Sequence, residues 1–72
     1  MIGKRLYELR RERNLSLSEL AKRSNVAKSY LSAIERHIQV NPSLHVLERI
    51  SRVLNVQIQT LLGESSVDGQ EE

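Results

Sequence analysis

Apolar side chains recur at intervals of three and four residues along nearly the whole chain. This is the spacing of helices that bury one face, and no Val, Ile and Thr alternation is long enough to indicate a strand. The sequence therefore predicts an all-α fold with five helices. Their expected positions are about 2–13, 17–24, 27–37, 42–54 and 57–62.

Local signals predict where these helices begin and end. Ser16 and Glu19 have the spacing of a capping box, in which each side chain bonds the other residue's backbone amide. Asn41 followed by Pro42 indicates an N-cap and a first helical residue. Asn14 and Asn25 each follow a helical stretch, and asparagine tolerates the left-handed conformation that ends a helix.

The length of 72 residues allows one domain, which we expect at residues 1–63, followed by an acidic disordered tail at 64–72. With no cysteine and two histidines, the chain offers neither disulfides nor an evident metal site, and we expect no cofactor. It lacks the run of about 18 apolar residues that a membrane span requires, and it begins without a signal-peptide pattern. We therefore expect a cytoplasmic, nucleoid-associated protein with no membrane partner.

Charge is unevenly distributed along the chain. Residues 1–63 hold all 11 Lys and Arg and five of the nine acids, a net charge of +6, whereas residues 64–72 carry −4. A basic body suits a polyanionic partner. An ordinary solvated surface followed by an acidic tail accounts for the charges equally well, so charge alone does not decide the function.

The second and third helices predict the function more sharply, because a short segment of three residues, 24–26, joins them. Ala21 is small enough for the helices to cross closely, and Val26 fills the angle between them. Leu31 and Ile34 anchor the third helix. Such a helix-turn-helix unit holds one helix out from the body, where it fits the roughly 12 Å major groove of double-stranded DNA.

With Leu31 and Ile34 facing inward, Ser29 and Arg36 point most directly outward from the third helix. Residues near its start reach deepest, and we expect them to read bases: Lys28, Ser29, Tyr30 and, one turn later, Ala33. Donors around them are expected to bind phosphates: Ser16, Ser18, Ser32, Arg36, His37, Gln39 and Asn41. The alternative is that this is an ordinary solvated helix face.

Glu35 lies at the edge of the buried face of the third helix, where an unpaired carboxylate is costly. Arg10 lies one turn beyond Leu6 on the first helix and is the natural partner of Glu35. We predict a partly buried Arg10–Glu35 ion pair that locks the first helix to the third.

Several stretches of this sequence resemble the Xre/Cro/C1-type helix-turn-helix regulators. They are MIG at 1–3, SLSELA at 16–21, VAKSYLS at 26–32, IER at 34–36, NPS at 41–43 and LL at 61–62. The resemblance implies a lambda-repressor-like domain and a bacterial transcriptional repressor that reads an operator through its third helix, beginning at Lys28. This sequence departs from the family at Asn25, where glycine is usual, and at His37, where glycine or asparagine is usual.

The resemblance also implies partners. Helix-turn-helix readers usually bind DNA as homodimers, and similar repressors carry a C-terminal helical segment that forms oligomers and binds an antirepressor. This sequence ends at Glu72. An antirepressor or other regulatory partner is therefore expected only where such a segment exists.

Two other classes of function predict different sequence features. A protein-interaction module would expose apolar residues, and Val40, Val46 and Val53 are candidates for a small patch, although a place at the margin of the core suits them better. An enzyme is disfavoured, since no nucleophile–base pair, carboxylate dyad, phosphate loop or metal-ligand spacing is present in the sequence.

Overall fold

The computed structural model describes residues 2–38 and 41–63. It contains five helices in this part of the chain, which confirms the predicted fold class: α1 (Ile2–Glu12), α2 (Leu17–Ser24), α3 (Lys28–Glu35), α4 (Leu44–Leu54) and α5 (Ile58–Leu61). The bounds of α2 agree with the prediction. The other helices are shorter than predicted by one to three residues. The predicted tail, residues 64–72, lies outside the described residues.

The start of α4 corrects the sequence prediction. Ser43, rather than Asn41, is the N-cap: its hydroxyl oxygen accepts a hydrogen bond from the Val46 amide at 3.2 Å. Pro42 therefore precedes the helix instead of beginning it. Serine and asparagine are about equally good N-caps, and it is Ser43 that has the extended backbone of an N-cap, with φ −69° and ψ 160°.

Half of the predicted capping box is present at α2. The Ser16 hydroxyl accepts from the Glu19 amide at 3.0 Å. The Glu19 carboxylate does not bond back, because it accepts from the Arg23 guanidinium one helical turn later, at 3.0 Å. One orphan amide of the helix start is thus satisfied by a side chain, and an exposed ion pair replaces the second capping bond.

Four helices end at a non-glycine residue with positive φ: Asn14 at 56°, Asn25 at 60°, His37 at 63° and Asn55 at 59°. Three are asparagine, which pays the smallest penalty for this conformation after glycine. His37 is the exception. Its left-handed backbone ends α3 two residues earlier than predicted, with Ile38 N donating to Ala33 O at 2.8 Å and His37 N to Ile34 O at 3.1 Å. This pair of bonds is a Schellman ending.

The core is one cluster to which every helix contributes. Its buried members are Leu6, Leu9, Leu15, Leu20, Val26, Leu31, Ile34, Leu47, Ile50, Leu54 and Leu61. Val46 and Val53 pack against it half-buried, as expected for marginal core residues, while Val40 lies outside the described residues. None of the described helices is both long and apolar enough to cross a membrane.

Arginine side chains tie the helix ends together over this core. Arg13 Nε donates to Leu54 O at 2.6 Å, which joins the end of α1 to the end of α4. Arg5 Nε donates to Thr60 O at 3.4 Å and links α1 to α5. Since α1 also packs on α3, this first helix supports α3 from behind.

Candidate nucleic-acid interface

The turn between α2 and α3 positions the candidate interface. Asn25 adopts the left-handed conformation and its amide donates to Ala21 O, so the chain turns immediately after Ser24. Val26 is buried in the angle between the two helices, and Ala21 is half-buried where they approach. From α4, Arg49 Nη1 donates to Asn25 O at 3.4 Å. The predicted roles of Asn25 and Val26 in the turn are confirmed.

α3 is held on one face only. Leu31 and Ile34 are fully buried, whereas Lys28 and Ser29 are exposed at its first turn. Tyr30, Ser32 and Ala33 are half-buried, and the Tyr30 ring packs partly against the core. Of the four residues predicted to read bases, two are thus freely accessible and two, Tyr30 and Ala33, present only part of their surface.

Most of the predicted phosphate-binding residues lie at the ends of α2 and α3. Ser16 and Ser18 are exposed at the start of α2, while Arg36 and His37 are exposed at the end of α3. Asn41 is exposed beyond them, and Gln39 lies outside the described residues. Exposed donors are therefore present at the start of α2 and just beyond the end of α3, and phosphate backbones on either side of a bound helix are contacted by donors of this kind.

Arg10 connects the segment before α2 to the end of α3. Its Nε and Nη2 donate to the two Glu35 carboxylate oxygens at 2.8 and 3.0 Å, and its Nη1 donates to Leu15 O at 2.8 Å. The Arg10 and Glu35 side chains are only 9% and 8% exposed. One guanidinium thus joins the end of α1, the segment before α2 and the end of α3, in the ion pair that the sequence predicted.

The electrostatics of this pair follow from its geometry. The Glu35 hydrogen bond raises the pKa of the Arg10 guanidinium, against the opposing effect of burial, and the carboxylate charge adds to the increase. A raised pKa means that the charged form is favoured in the folded state. Its contribution to stability is lost only when the pH rises through that raised pKa. The pair therefore holds the interface across the neutral range.

A cleft of about 420 Å³ runs along the turn, beside the start of α3. Three small apolar residues, Ala21, Val26 and Ala27, line it together with Lys22 and Lys28. The small side chains leave room for a close approach, and the lysines supply positive charge. Lys22 thus lines the same cleft as the predicted reading residue Lys28.

A second cleft, of about 430 Å³, adjoins the start of α2 and was missed in the sequence analysis. Arg10, Arg11, Asn14, Leu15 and Ser16 line it. The overlooked residue is Arg11. A signal for it was available, because Tyr7 and Arg11 have the i, i+4 spacing that places side chains together on a helix.

No other chemistry suggests itself at this surface. Within residues 2–38 and 41–63, no three His, Cys, Asp or Glu side chains are grouped closely enough to hold a metal ion. The groups that face outward are cationic, hydroxyl and amide donors. Such an arrangement can bind an extended anion.

Comparison with known proteins agrees with this geometry. The model of the family described as "Helix-turn-helix" matches residues 6–61. The HTH-type transcriptional regulator SinR of Bacillus subtilis is 53% identical over 73 aligned positions, which cover 97% of this chain and 66% of SinR. This chain thus spans slightly less than two thirds of that relative. The absence of enzyme-like sequence patterns is in keeping with a relative named as a transcriptional regulator.

Two solved structures share the fold. A crystal structure of SinR, described as the master regulator for biofilm formation in complex with DNA, has a TM-score of 0.84 and 56% identity, covering 86% of this chain and 98% of that one. A complex of the SinR and SinI proteins has a TM-score of 0.85 and 55% identity, covering 92% of this chain and 64% of that one.

Proposed function

This chain belongs to the helix-turn-helix family, and on that premise we propose that it is the DNA-binding domain of a bacterial transcriptional repressor. Its ligand is double-stranded operator DNA. Lys28 and Ser29, with the accessible parts of Tyr30 and Ala33, read base edges in the major groove.

One observation carries the proposal: α3 buries Leu31 and Ile34 completely while leaving Lys28 and Ser29 exposed at its first turn. A helix that is anchored on one face and polar at its protruding end can enter a groove without unfolding the domain. Lysine can donate to guanine O6 and N7, and serine can bond several base edges. A similar SinR structure contains DNA, which supports the same ligand here.

Phosphate contacts complete the proposed interface. Ser16 and Ser18 bind the strand on one side of the groove, and Arg36, His37, Gln39 and Asn41 bind the strand on the other. Ser32 contributes from the half-buried side of α3. These contacts set the register of the helix on the duplex, while the base contacts supply sequence preference.

The remaining parts of the proposal concern organisation. Residues 1–63 form the binding domain and residues 64–72 an acidic tail, and two copies bind a two-fold operator as a homodimer. The proposed activity places the protein on the chromosome, in the cytoplasmic nucleoid. The SinI protein accompanies SinR in a solved complex, so an antirepressor of that kind is proposed as a partner of a longer protein that contains this chain.

The proposal is tested by selecting bound duplexes from a random-oligonucleotide pool. We expect an enriched motif with two half-sites, and an affinity for it that falls with a log–log salt slope of about −0.9 for each phosphate contact. Equal binding to the selected duplex and to a random duplex would contradict sequence-specific recognition. An absence of binding at low salt would contradict DNA binding altogether.

Lys28→Ala is expected to weaken binding to the selected duplex by about 1–3 kcal/mol and to relax sequence preference at one base position. The reason is that the variant loses a hydrogen bond to the edge of one base, and not a phosphate contact that every sequence would offer. Repeating the selection with the variant shows which position is relaxed. Lys4→Ala, which removes an exposed lysine from α1, is the control and should leave the motif unchanged.

Arg36→Ala is expected to weaken binding to selected and random duplexes alike and to flatten the salt slope by about one unit. A phosphate contact is present on every sequence, so its loss does not alter preference. Titrations at four or more salt concentrations measure the slope. A change confined to the selected duplex would move Arg36 from the phosphate-binding group to the base-reading group.

A further inference from the structure

Tyr7 and Arg11 form a small exposed platform on α1. The Arg11 guanidinium lies over the Tyr7 ring, 5.7 Å from its centroid, and the buried Arg10 guanidinium lies 5.3 Å from the same centroid. The ring is 46% exposed, and Arg11 is exposed as well. An arginine over an aromatic face is attracted to the ring, so its guanidinium samples fewer positions than a free one. Asn14, exposed at the left-handed turn that follows α1, lines the same cleft as Arg11.

This platform borders the cleft at the start of α2. Arg11, Asn14 and Ser16 line the same cleft of about 430 Å³. Arg10 fixes the backbone on one side of this cleft, because Arg10 Nη1 donates to Leu15 O at 2.8 Å. The Arg11 guanidinium thus lines a held segment together with Ser16, one of the proposed phosphate-binding residues.

The charge of Arg11 is available to an external anion. Among the described residues, the ion pairs of the arginines involve Arg5, Arg10, Arg13 and Arg23, each with a glutamate. Arg11 takes part in none of them. The neighbouring Arg10 is neutralised by Glu35, so Arg11 carries the net positive charge of this cleft.

We propose that Arg11, oriented by Tyr7, binds a backbone phosphate of the operator on the Ser16 side of α3. It thus lengthens the contacted strand beyond the part reached by α2 and α3. The inference rests on the proposed DNA-binding function and names one further contact of that interface. A duplex phosphate is favoured over a free anion because the cleft is open and adjoins the other proposed phosphate donors.

The test measures affinity for a duplex recovered from the random-oligonucleotide pool, across a range of salt concentrations. Arg11→Gln should flatten the slope by about 0.9 and weaken binding about fivefold near 0.15 M salt, on selected and random duplexes alike. Arg11→Lys should keep the slope. Arg52→Gln, which removes an exposed arginine from the last turn of α4, is the matched control for net charge and should leave the slope within error.

Tyr7→Leu separates orientation from charge. This variant keeps every cation, so the salt slope should be unchanged, while affinity falls about two- to fivefold because Arg11 is no longer held over a ring. Arg10, which also lies beside the ring, remains held by Glu35 and by Leu15 O. Thermal unfolding of each variant verifies that the domain is folded at the temperature of the titration.

The outcomes distinguish this inference from the proposed function. If the unaltered chain binds no duplex, the proposed function fails. If it binds with a steep salt slope and Arg11→Gln leaves that slope unchanged, or Arg52→Gln lowers it equally, the Arg11 contact is wrong while the function stands. A salt slope that is flatter for Arg11→Gln but unchanged for Arg52→Gln supports the contact.

Discussion

Replacing Glu35 with alanine is expected to lower the free energy of unfolding by about 3–5 kcal/mol, because it leaves the buried Arg10 guanidinium without its counter-ion. Both side chains are less than a tenth exposed, and both carboxylate oxygens are used. Domains of this size are marginally stable, so we expect much of the variant to be unfolded at 37 °C. Urea denaturation followed by circular dichroism at low temperature measures the loss.

Glu19→Ala is the matched control for Glu35→Ala. It also removes a glutamate that pairs with an arginine at 3.0 Å, but the Glu19 and Arg23 side chains are 44% and 58% exposed. Exposed pairs contribute about 0–1 kcal/mol. A double variant, Arg10→Met with Glu35→Leu, should recover much of the stability because neither charge remains buried. An equal decrease in the free energy of unfolding for Glu35→Ala and Glu19→Ala would show that burial does not make the Arg10–Glu35 pair more important for stability than an exposed pair.

Gly3→Ala is expected to destabilise the domain by about 1–3 kcal/mol, the range typical of overpacking a core. A Cβ atom on Gly3 would lie 2.5 Å from Ile34 O and 2.9 Å from His37 Cε1. The imidazole can move aside, but the Ile34 carbonyl belongs to the backbone of α3 and cannot. α1 must therefore shift away from the end of α3.

The sign of this effect is what makes Gly3→Ala informative. At an open position within a helix, replacing glycine with alanine stabilises by about 1 kcal/mol. Lys4→Ala on the same turn, at an exposed position, serves as the control and should change stability by less than about 0.5 kcal/mol. Thermal unfolding of the three proteins compares them. A Gly3→Ala variant at least as stable as the parent would mean that α1 and α3 are not in close contact there.

Much of the fold was predictable because its signals are local. The three- and four-residue spacing of Leu31, Ile34 and their counterparts identifies helices and their inward faces. Asn14 and Asn25 end helices in the left-handed conformation, as predicted from their own backbone preferences. The Arg10–Glu35 pair was also predictable from the sequence, because an acidic residue at the edge of a buried face requires a cation nearby.

Predictions went wrong where two residues competed for one role. Asn41 and Ser43 are both good N-caps, and the backbone geometry after Pro42 gave the role to Ser43. Similarly, Glu19 could bond the Ser16 amide or Arg23, and it pairs with Arg23. The choice between such neighbours depends on small energy differences that a residue pattern does not contain.

The amino-acid order by itself determined the helical class, the turn at Asn25 and the polar start of α3, because each depends on residues within one or two helical turns of one another. Only the tertiary structure decided that Gly3 meets the Ile34 carbonyl, that Arg13 bonds Leu54 O and that Arg11 shares a cleft with Ser16. The first two contacts join residues far apart in the chain, so they depend on how the helices pack. The third depends on how the segment after α1 turns back towards it.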